Sequence, residues 1–522
     1  MAIHDIFAFI PILWLLLSLG FFKLSSHIAT LTGLLLTCVL AFFTFRMPAA
    51  QLGGAVAEGV VFALFPIIWV IISALFVYNV TRKSQSMDTI KEMLTSISPD
   101  RRIQGLLLAF AFGGFLESVA GFGTAVAIPA AMMIAIGFEP FQAAVLCLIA
   151  NTVPVAFGVL GVPIETLSRV SGLSLNTLGL FTSLQLFPFA VILPFILIYV
   201  ITGSRRGIKG IFGLTLLSGL AFAGAQTITV LLIGPELAAV TGSLSALLVI
   251  IIAARIRNRD KSLQIWRFEL DGPFLESEGL SEEKGRHRTS KMIKAWMPYI
   301  LILVLIALTR LVPAAQLLQE APFVFGKQFY FGEGGKPLVI PLLTSGGSIL
   351  FLSAIFGGLI QGLSGRDLLT VLCSTLHQTR KTIVTVLSIV ALAKVMTYSG
   401  MISVIAVLIA SGSGIMYPLI APFIGMLGTF ITGSDTSSNV LFGNLQKQTA
   451  LELKLDPEWI TAANASGATA GKMISPQSVS IAASVTGLTD MESRMLRFTL
   501  KYCVVYVFLM GVVVMAAQRI LL

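Results

Sequence analysis

Four short stretches of this 522-residue chain set polar and small residues inside otherwise apolar sequence, and these are the places where chemistry can occur. The first is Glu117-Ser118-Val119-Ala120-Gly121-Phe122-Gly123-Thr124, and its counterpart is Thr432-Gly433-Ser434-Asp435-Thr436-Ser437-Ser438-Asn439. The third runs from Asn151-Thr152-Val153-Pro154 to Pro163. The fourth runs from Asn464-Ala465-Ser466-Gly467 through Gly471-Lys472-Met473-Ile474-Ser475-Pro476-Gln477-Ser478. Gly121, Gly123, Gly433 and Gly471 let backbone amides turn inward at a hairpin or hinge, and Pro163 and Pro476 interrupt helices. Asn151, Thr152, Ser434, Thr436, Ser437, Ser438, Asn439, Asn464, Ser475 and Gln477 supply hydrogen-bonding side chains. Half-helices broken at such points aim their positive N-terminal dipoles at whatever binds between them. Donors converging in this way suit a small carboxylate.

Glu117 and Asp435 are the acids set most deeply in these breaks. An ionisable group at mid-bilayer costs at least ~2.5–3.5 kcal/mol, so its presence there calls for a reason. One reading makes either of them a protonatable carrier; the other makes it a cap on hairpin-tip amides or a partner of Lys472. Lys472 itself would either hold a substrate carboxylate as a point charge or neutralise Asp435. Lys394 and Arg310 lie near span ends, where snorkelling to the interface accounts for them. Glu58, Glu165, Arg169 and Glu236 flank loops and read as solvated. No histidine falls in the four breaks, which argues against a histidine proton relay. No phosphate-binding loop, paired-Asp metal motif, HExxH or GxSxG is present, so the sequence points to no ATP-driven pump, metal site or common intramembrane enzyme.

The elements that must position these residues are membrane spans. The chain is 56% hydrophobic and 11% charged, with mean hydropathy +0.92, where a soluble globular chain carries about 25% charged residues. Apolar runs of about 20 residues recur from end to end, which defines an all-α polytopic membrane protein. Spans are expected near 6–22, 28–45, 57–80, 141–160, 178–202, 208–225, 230–254, 295–312, 346–363, 381–398 and 498–518. The first lacks a basic leader and a cleavage site and reads as a retained span. Cys38, Cys147, Cys373 and Cys503 sit in apolar stretches as buried thiols, without metal or disulfide spacing.

The net charge of +10 (35 Lys and Arg against 25 Asp and Glu) is a topology signal and not a nucleic-acid footprint. Basic clusters at 82–102, 205–209, 255–294, 380–381 and 494–501 fall on one side only if two stretches enter and leave by the same face. These are about 103–137 and, from the opposite face, 416–450, each a re-entrant hairpin. The polar segment 255–294 reads as a cytoplasmic linker between an N-terminal half, 1–254, and a C-terminal half, 295–522. Both termini then fall outside.

An internal repeat supports this division. Gly113-Gly114-Phe115-Leu116 is echoed by Gly428-Thr429-Phe430-Ile431, and Asn151, Gly158 and Pro163 are spaced as Asn464, Gly471 and Pro476 are. The shared order and the opposite entry faces predict two inverted-topology repeats, each with a re-entrant hairpin and a discontinuous helix, as in secondary transporters.

At these residues the sequence resembles the bacterial lactate permease family. The likeness rests on Phe112-Gly-Gly-Phe-Leu-Glu-Ser-Val-Ala-Gly-Phe-Gly123 and Leu148-Ile-Ala-Asn-Thr-Val-Pro-Val-Ala-Phe-Gly158. It is strongest at Thr432 to Asn439 and Gly471 to Ser478; Arg206-Gly-Ile-Lys209 and Gly234-Pro-Glu-Leu237 add to it. The resemblance extends over nearly the whole chain. It implies proton symport of L-lactate, with D-lactate and glycolate as related substrates, across the bacterial cytoplasmic (inner) membrane. It also implies the ion transporter superfamily, whose paired hairpins and broken helices form a mobile domain. The partners are then a 2-hydroxymonocarboxylate, a proton and the lipid bilayer, with no cofactor and no nucleic acid; a homodimer is compatible with the sequence. Ser118, Val119, Thr124 and Ala125 depart from the smaller residues or proline expected of the family, and Val119 bears on substrate choice. Sodium coupling remains an alternative, as does a passive anion channel or sensor on a carrier fold.

Overall fold

The computed structural model describes residues 6–521 apart from 19–21, 23, 122, 260–264, 267–284, 312–323, 333–334, 336 and 489. In hydrocarbon every backbone N–H and C=O must be satisfied within its own segment, and the apolar runs accordingly form helices. Among the described residues nine helices are long and apolar enough to cross a bilayer, and a bent pair makes a tenth.

The chain opens with α1 (Ile10–Leu16), α2 (Ser26–Phe43) and α3 (Ala49–Phe62). A non-helical Phe65 (φ −132°, ψ 117°) separates α3 from α4 (Trp69–Lys83). After the short α5 (Ser86–Thr95) comes a helical hairpin of α6 (Arg101–Val119) and α7 (Thr124–Ala135). Next are two half-helices, α8 (Pro140–Ala150) and α9 (Gly158–Ser171), with a 57° bend at the break that begins again at Pro154. The long α10 (Leu175–Thr202) closes this set, and α11 (Phe212–Leu232), α12 (Ala238–Arg259) and α13 (Gly285–Leu311) follow. A ribbon of β1 (Val324–Lys327) antiparallel to β2 (Leu338–Pro341) pairs Phe325 with Ile340. Then come α14 (Gly346–Ile360), the 34-residue α15 (Gly365–Tyr398) and the short α16 (Met401–Ser413). A second hairpin, α17 (Tyr417–Thr432) and α18 (Asp435–Glu452), leads to half-helices α19 (Pro457–Lys472) and α20 (Pro476–Thr486), and then to α21 (Glu492–Leu521).

The order from α4 to α10 therefore recurs from α15 to α21, and the packing between the two sets is reciprocal. Half-helix α9 lies against hairpin arm α18, and half-helix α20 against hairpin arm α7. Likewise α10 packs on α19 and α21 packs on α8. Caps explain where the second set breaks. Asp456 accepts the Trp459 N–H at 2.8 Å before Pro457, and Ser475 accepts the Ser478 N–H at 3.2 Å before Pro476. Each stops the preceding helix and starts the next.

A second body is built by α2, α3, α4, α14 and α15, which pack on one another. Its register is pinned by Trp69 Nε1 donating to Ser348 Oγ (3.1 Å), Asn79 Nδ2 to Thr375 Oγ1 (2.9 Å) and Ser84 Oγ to Gln361 Oε1 (2.8 Å).

Several expectations change. The span expected at 141–160 is longer: beyond the break that follows α8, α9 carries on to Ser171, and Glu165 and Arg169 pair on it at 2.9 Å. Helix α15 begins at Gly365, so Arg380 and Lys381 lie within it and not at its end. Helix α11 runs to Leu232, beyond the expected 208–225. Helices α12 and α13 extend into the polar linker from both sides; its residues 260–264 and 267–284, like the side chain of Arg310, lie outside the described residues. The Asn-to-Pro spacing does not align the elements: Asn151 caps the end of α8, while Asn464 lies in the interior of the longer α19. Gly471 is helical and not a hinge. A side chain there would strike the Met426 carbonyl, as one at Gly467 would strike Pro422, so this Gly-xxx-Gly pair lets α17 and α19 touch backbone to backbone. Cys373 is exposed, whereas Cys147 and Cys503 are buried.

Candidate functional site

Both hairpin tips and both helix breaks border one cavity of about 710 Å³. One wall presents Glu117, Gly158, Val159, Pro163, Gly433, Ser434, Asp435, Thr436, Ser437, Lys472 and Gln477. The facing wall is α15, with Lys381, Thr382 and Thr385 giving way to Val386, Ile389 and Val390, flanked by Ile67 and Ile71 of the α3–α4 region and by Ser25–His27 at the start of α2. Ser25, Lys381, Gln477 and Ser480 are exposed and mark the mouth. Glu117 and Asp435, each 3% exposed, lie at the closed end.

The second tip is built by local chemistry. Gly433 takes φ +70°, which ends α17 in the left-handed turn that favours glycine. Ser434 then caps α18, its Oγ accepting the Ser437 N–H at 3.2 Å, while Thr432 Oγ1 accepts the Ser434 N–H at 3.2 Å. Asp435 is thus released from capping: both of its carboxyl oxygens are buried without a hydrogen-bond partner among the described residues. Lys472 does not pair with it directly; its Nζ donates to the Gly433 carbonyl at 2.8 Å and is within electrostatic reach of both Asp435 and Glu117.

The first tip is closed by shape. Gly121 (φ +59°) has no room for a side chain because Val159 fills the space, and Gly123 (φ +85°) abuts Ile481 of α20. Val159, Leu160 and Gly161 themselves form a left-handed turn (φ 45°, 55° and 75°). For the first two residues this conformation costs roughly 1–3 kcal/mol each, and the surrounding packing holds it. Glu117 lies directly over Gly158, where a Cβ would stand 3.3 Å from Oε1. Glu117 Oε2 also has no hydrogen-bond partner among the described residues, and Asn151 stands beside it.

The remaining expected ligands are placed elsewhere. Thr152 Oγ1 donates to the Ile149 carbonyl (2.8 Å), and Ser438 Oγ donates to the Gly425 carbonyl (2.8 Å). Asn464 Nδ2 donates to Asn439 Oδ1 (2.9 Å), Asn439 Nδ2 to the Pro163 carbonyl (3.0 Å), and Gln446 Nε2 to Asn464 Oδ1 (3.1 Å). This buried chain ties the second hairpin to α19 and to the broken first helix. Ser475 is the cap of α20, and Pro476 is its first residue.

The sequence reading missed the α15 wall. Lys381, Thr382 and Thr385 share one face of a helix, but they read as the end of a span and not as the side of a cavity. His27 is on the cavity wall although it lies in none of the breaks. Glu58 is not solvated: it is 3% exposed, and its Oε1 accepts from Lys394 Nζ and Tyr398 Oη, both at 2.7 Å. Lys394 therefore joins α15 to α3 and does not snorkel.

Two buried carboxyls with three oxygens unpartnered among the described residues, a committed ammonium, the N-termini of α18 and α20 and several hydroxyls thus meet in one cavity. That set can take up a small anion together with a compensating positive charge. Comparisons with known proteins agree with this chemistry. The profile of the L-lactate permease family matches residues 4–521. The chain is 44% identical to an L-lactate permease of Streptococcus iniae over 459 residues, covering 88% of this chain and 93% of that one. It is 34% identical to the glycolate permease GlcA of Escherichia coli (strain K12) over 528 residues, covering 97% and 94%. Among solved structures it resembles the Alcanivorax borkumensis YdaH transporter, described as having an unusual topology. There the TM-score is 0.50 and the identity 14%, over 93% of this chain and 98% of the other, a likeness in fold alone. The chain belongs to the L-lactate permease family and is a multi-pass transport protein of the bacterial cytoplasmic membrane, not an enzyme.

Proposed function

We propose that this protein takes up L-lactate, and with it D-lactate and glycolate, by symport with a proton. The observation that carries the reading is a pair of buried carboxyls facing one cavity, Asp435 with both oxygens and Glu117 with its Oε2 lacking a hydrogen-bond partner among the described residues. Charge counting supplies the coupling. With one of the two acids ionised and the other protonated, Lys472 leaves the buried end of the cavity neutral, while Lys381 stands exposed at the mouth. A lactate anion alone would make it negative and a proton alone positive, and either is costly away from water. Anion and proton together restore neutrality, so transport is electroneutral and the pH gradient drives it.

In this reading the substrate carboxylate meets the N-termini of α18 and α20, with Ser434, Thr436, Ser437 and Gln477 bonding carboxylate and hydroxyl. Either Glu117 or Asp435 carries the proton. The two element sets form inverted repeats whose hairpins enter from opposite faces. Arg82 and Lys83 end α4 beside the Gly365 end of α15, so the basic clusters assign that end to the cytoplasm, and in this reading the mouth at Lys381 and Ser25 opens to the same side.

The test is uptake of labelled L-lactate into proteoliposomes under an imposed pH gradient, without and then with sodium. Sodium-independent accumulation abolished by a protonophore is expected. Accumulation that requires sodium would replace the proton as coupling ion. Equilibration without accumulation would make the protein a channel.

A further inference from the structure

We infer that Lys381 is the counter-ion that receives the substrate carboxylate at the cytoplasmic face, and that it acts at that face alone. The inference rests on the carboxylate-transport reading above and adds to it a residue on the opposite wall.

Two lysines line the cavity, and they are in different states. The Lys472 ammonium is committed to the Gly433 carbonyl at 2.8 Å and is buried beneath the second hairpin tip. The Lys381 ammonium has no ion pair or hydrogen bond with any described residue, and its side chain is exposed at the mouth. It heads the polar end of the α15 stripe, with Thr382 and Thr385 beside it, before the stripe turns apolar at Val386, Ile389 and Val390. His27, at the start of α2, is the other basic side chain on this rim. An anion leaving the buried acids toward the cytoplasm therefore passes from hairpin donors to a free ammonium; Glu492, whose Oε1 accepts from Ser480 Oγ at 2.7 Å, adjoins the rim but is not among the cavity-lining side chains.

The location of Lys381 gives the prediction its direction. It belongs to the body of α2, α3, α4, α14 and α15, whereas the tips and half-helices belong to the other body. When the two bodies shift to open the cavity outward, the tips carry their donors with them and α15 keeps Lys381 behind. Removing its charge should weaken substrate binding from the cytoplasmic side and leave outside binding as it was.

The experiment compares right-side-out and inside-out membrane vesicles carrying the wild type, Lys381→Gln, Lys381→Met and Lys381→Arg, with labelled L-lactate as probe. In inside-out vesicles, losing one charge-assisted contact should raise the half-saturating concentration about tenfold for the Gln and Met variants. Lys381→Arg should stay within about twofold of wild type, because it keeps the charge. In right-side-out vesicles all four should saturate alike, which also shows that the variants are folded. Equal changes at both faces, or none at either, would overturn the inference while leaving lactate transport intact. A wild type that moves no carboxylate in either vesicle would overturn the functional reading, and this inference with it.

Discussion

At Asp435 the decisive fact is what its carboxylate does not do. A cap would hold the amides of its own first turn, but Ser434 already performs that task. Both oxygens are left without a hydrogen-bond partner among the described residues, as the proposed proton carrier requires. Asp435→Asn, which keeps the shape and removes the titration, should abolish pH-driven accumulation of lactate while preserving lactate–lactate exchange. Glu117→Gln in the same assay decides which acid carries the proton; accumulation surviving in both variants would remove them from the coupling mechanism. Lys472 acts differently. Its bond to the Gly433 carbonyl is charge-assisted, a class worth about 1.5–3 kcal/mol, and it holds the tip that presents Ser434 to Ser437. Lys472→Ala should therefore slow exchange as well as accumulation, by about tenfold or more, and exchange at the wild-type rate would show that the tip does not need it.

Among the elements, the second hairpin and α19 form the tightest contact, and two kinds of residue secure it. Gly425, Gly467 and Gly471 let backbones meet, and overpacking such a contact costs typically about 1–3 kcal/mol. Gly467→Ala should lower the unfolding temperature in detergent by several degrees; an unchanged melt would mean that the helices can part freely. The chain from Gln446 through Asn464 to Asn439 and the Pro163 carbonyl is buried throughout. Asn464→Ala strands two amide groups at about 1–3 kcal/mol. Its expected signature is lost thermal stability with a near-normal half-saturating lactate concentration, the reverse of what a direct ligand would show. The identical spacing of the Asn151 and Asn464 motifs conceals this difference, because α19 runs eight residues past Asn464 to Lys472, whereas α8 ends one residue before Asn151.

For the molecule as a whole, the cavity lies between two bodies and reaches the surface at Ser25, Lys381, Gln477 and Ser480. Arg169 of α9 donates to the Val339 carbonyl of β2 at 3.1 Å, which bridges a half-helix to the ribbon. With the mouth on the cytoplasmic side, as proposed above, this arrangement predicts one-sided access. A Gln477→Cys variant, made with exposed Cys373 replaced by Ser, should react with a membrane-impermeant thiol reagent faster in inside-out than in right-side-out vesicles. Saturating lactate should slow that reaction. Faster labelling from the outside would reverse the orientation drawn from the basic clusters.

Composition alone determined that this chain folds in a membrane, because 56% hydrophobic and 11% charged residues leave no soluble alternative. Glycine, serine and proline at the breaks located the hairpin tips, since left-handed turns and caps are local properties written in a few adjacent residues. The acids Glu117 and Asp435 stood out for the same reason, as charges in apolar surroundings. Tertiary structure alone decided which polar side chains face the cavity. Asn439, Asn464 and Ser438 look like ligands in sequence, yet they hydrogen-bond to neighbouring helices. Glu58 and Lys394 look solvated, yet they pair across 336 residues of sequence. Lys381 became a cavity-lining residue only when α15 was laid against the hairpins. A polar atom's partner is set by which helix packs beside it, and that choice is made by contacts far apart along the chain.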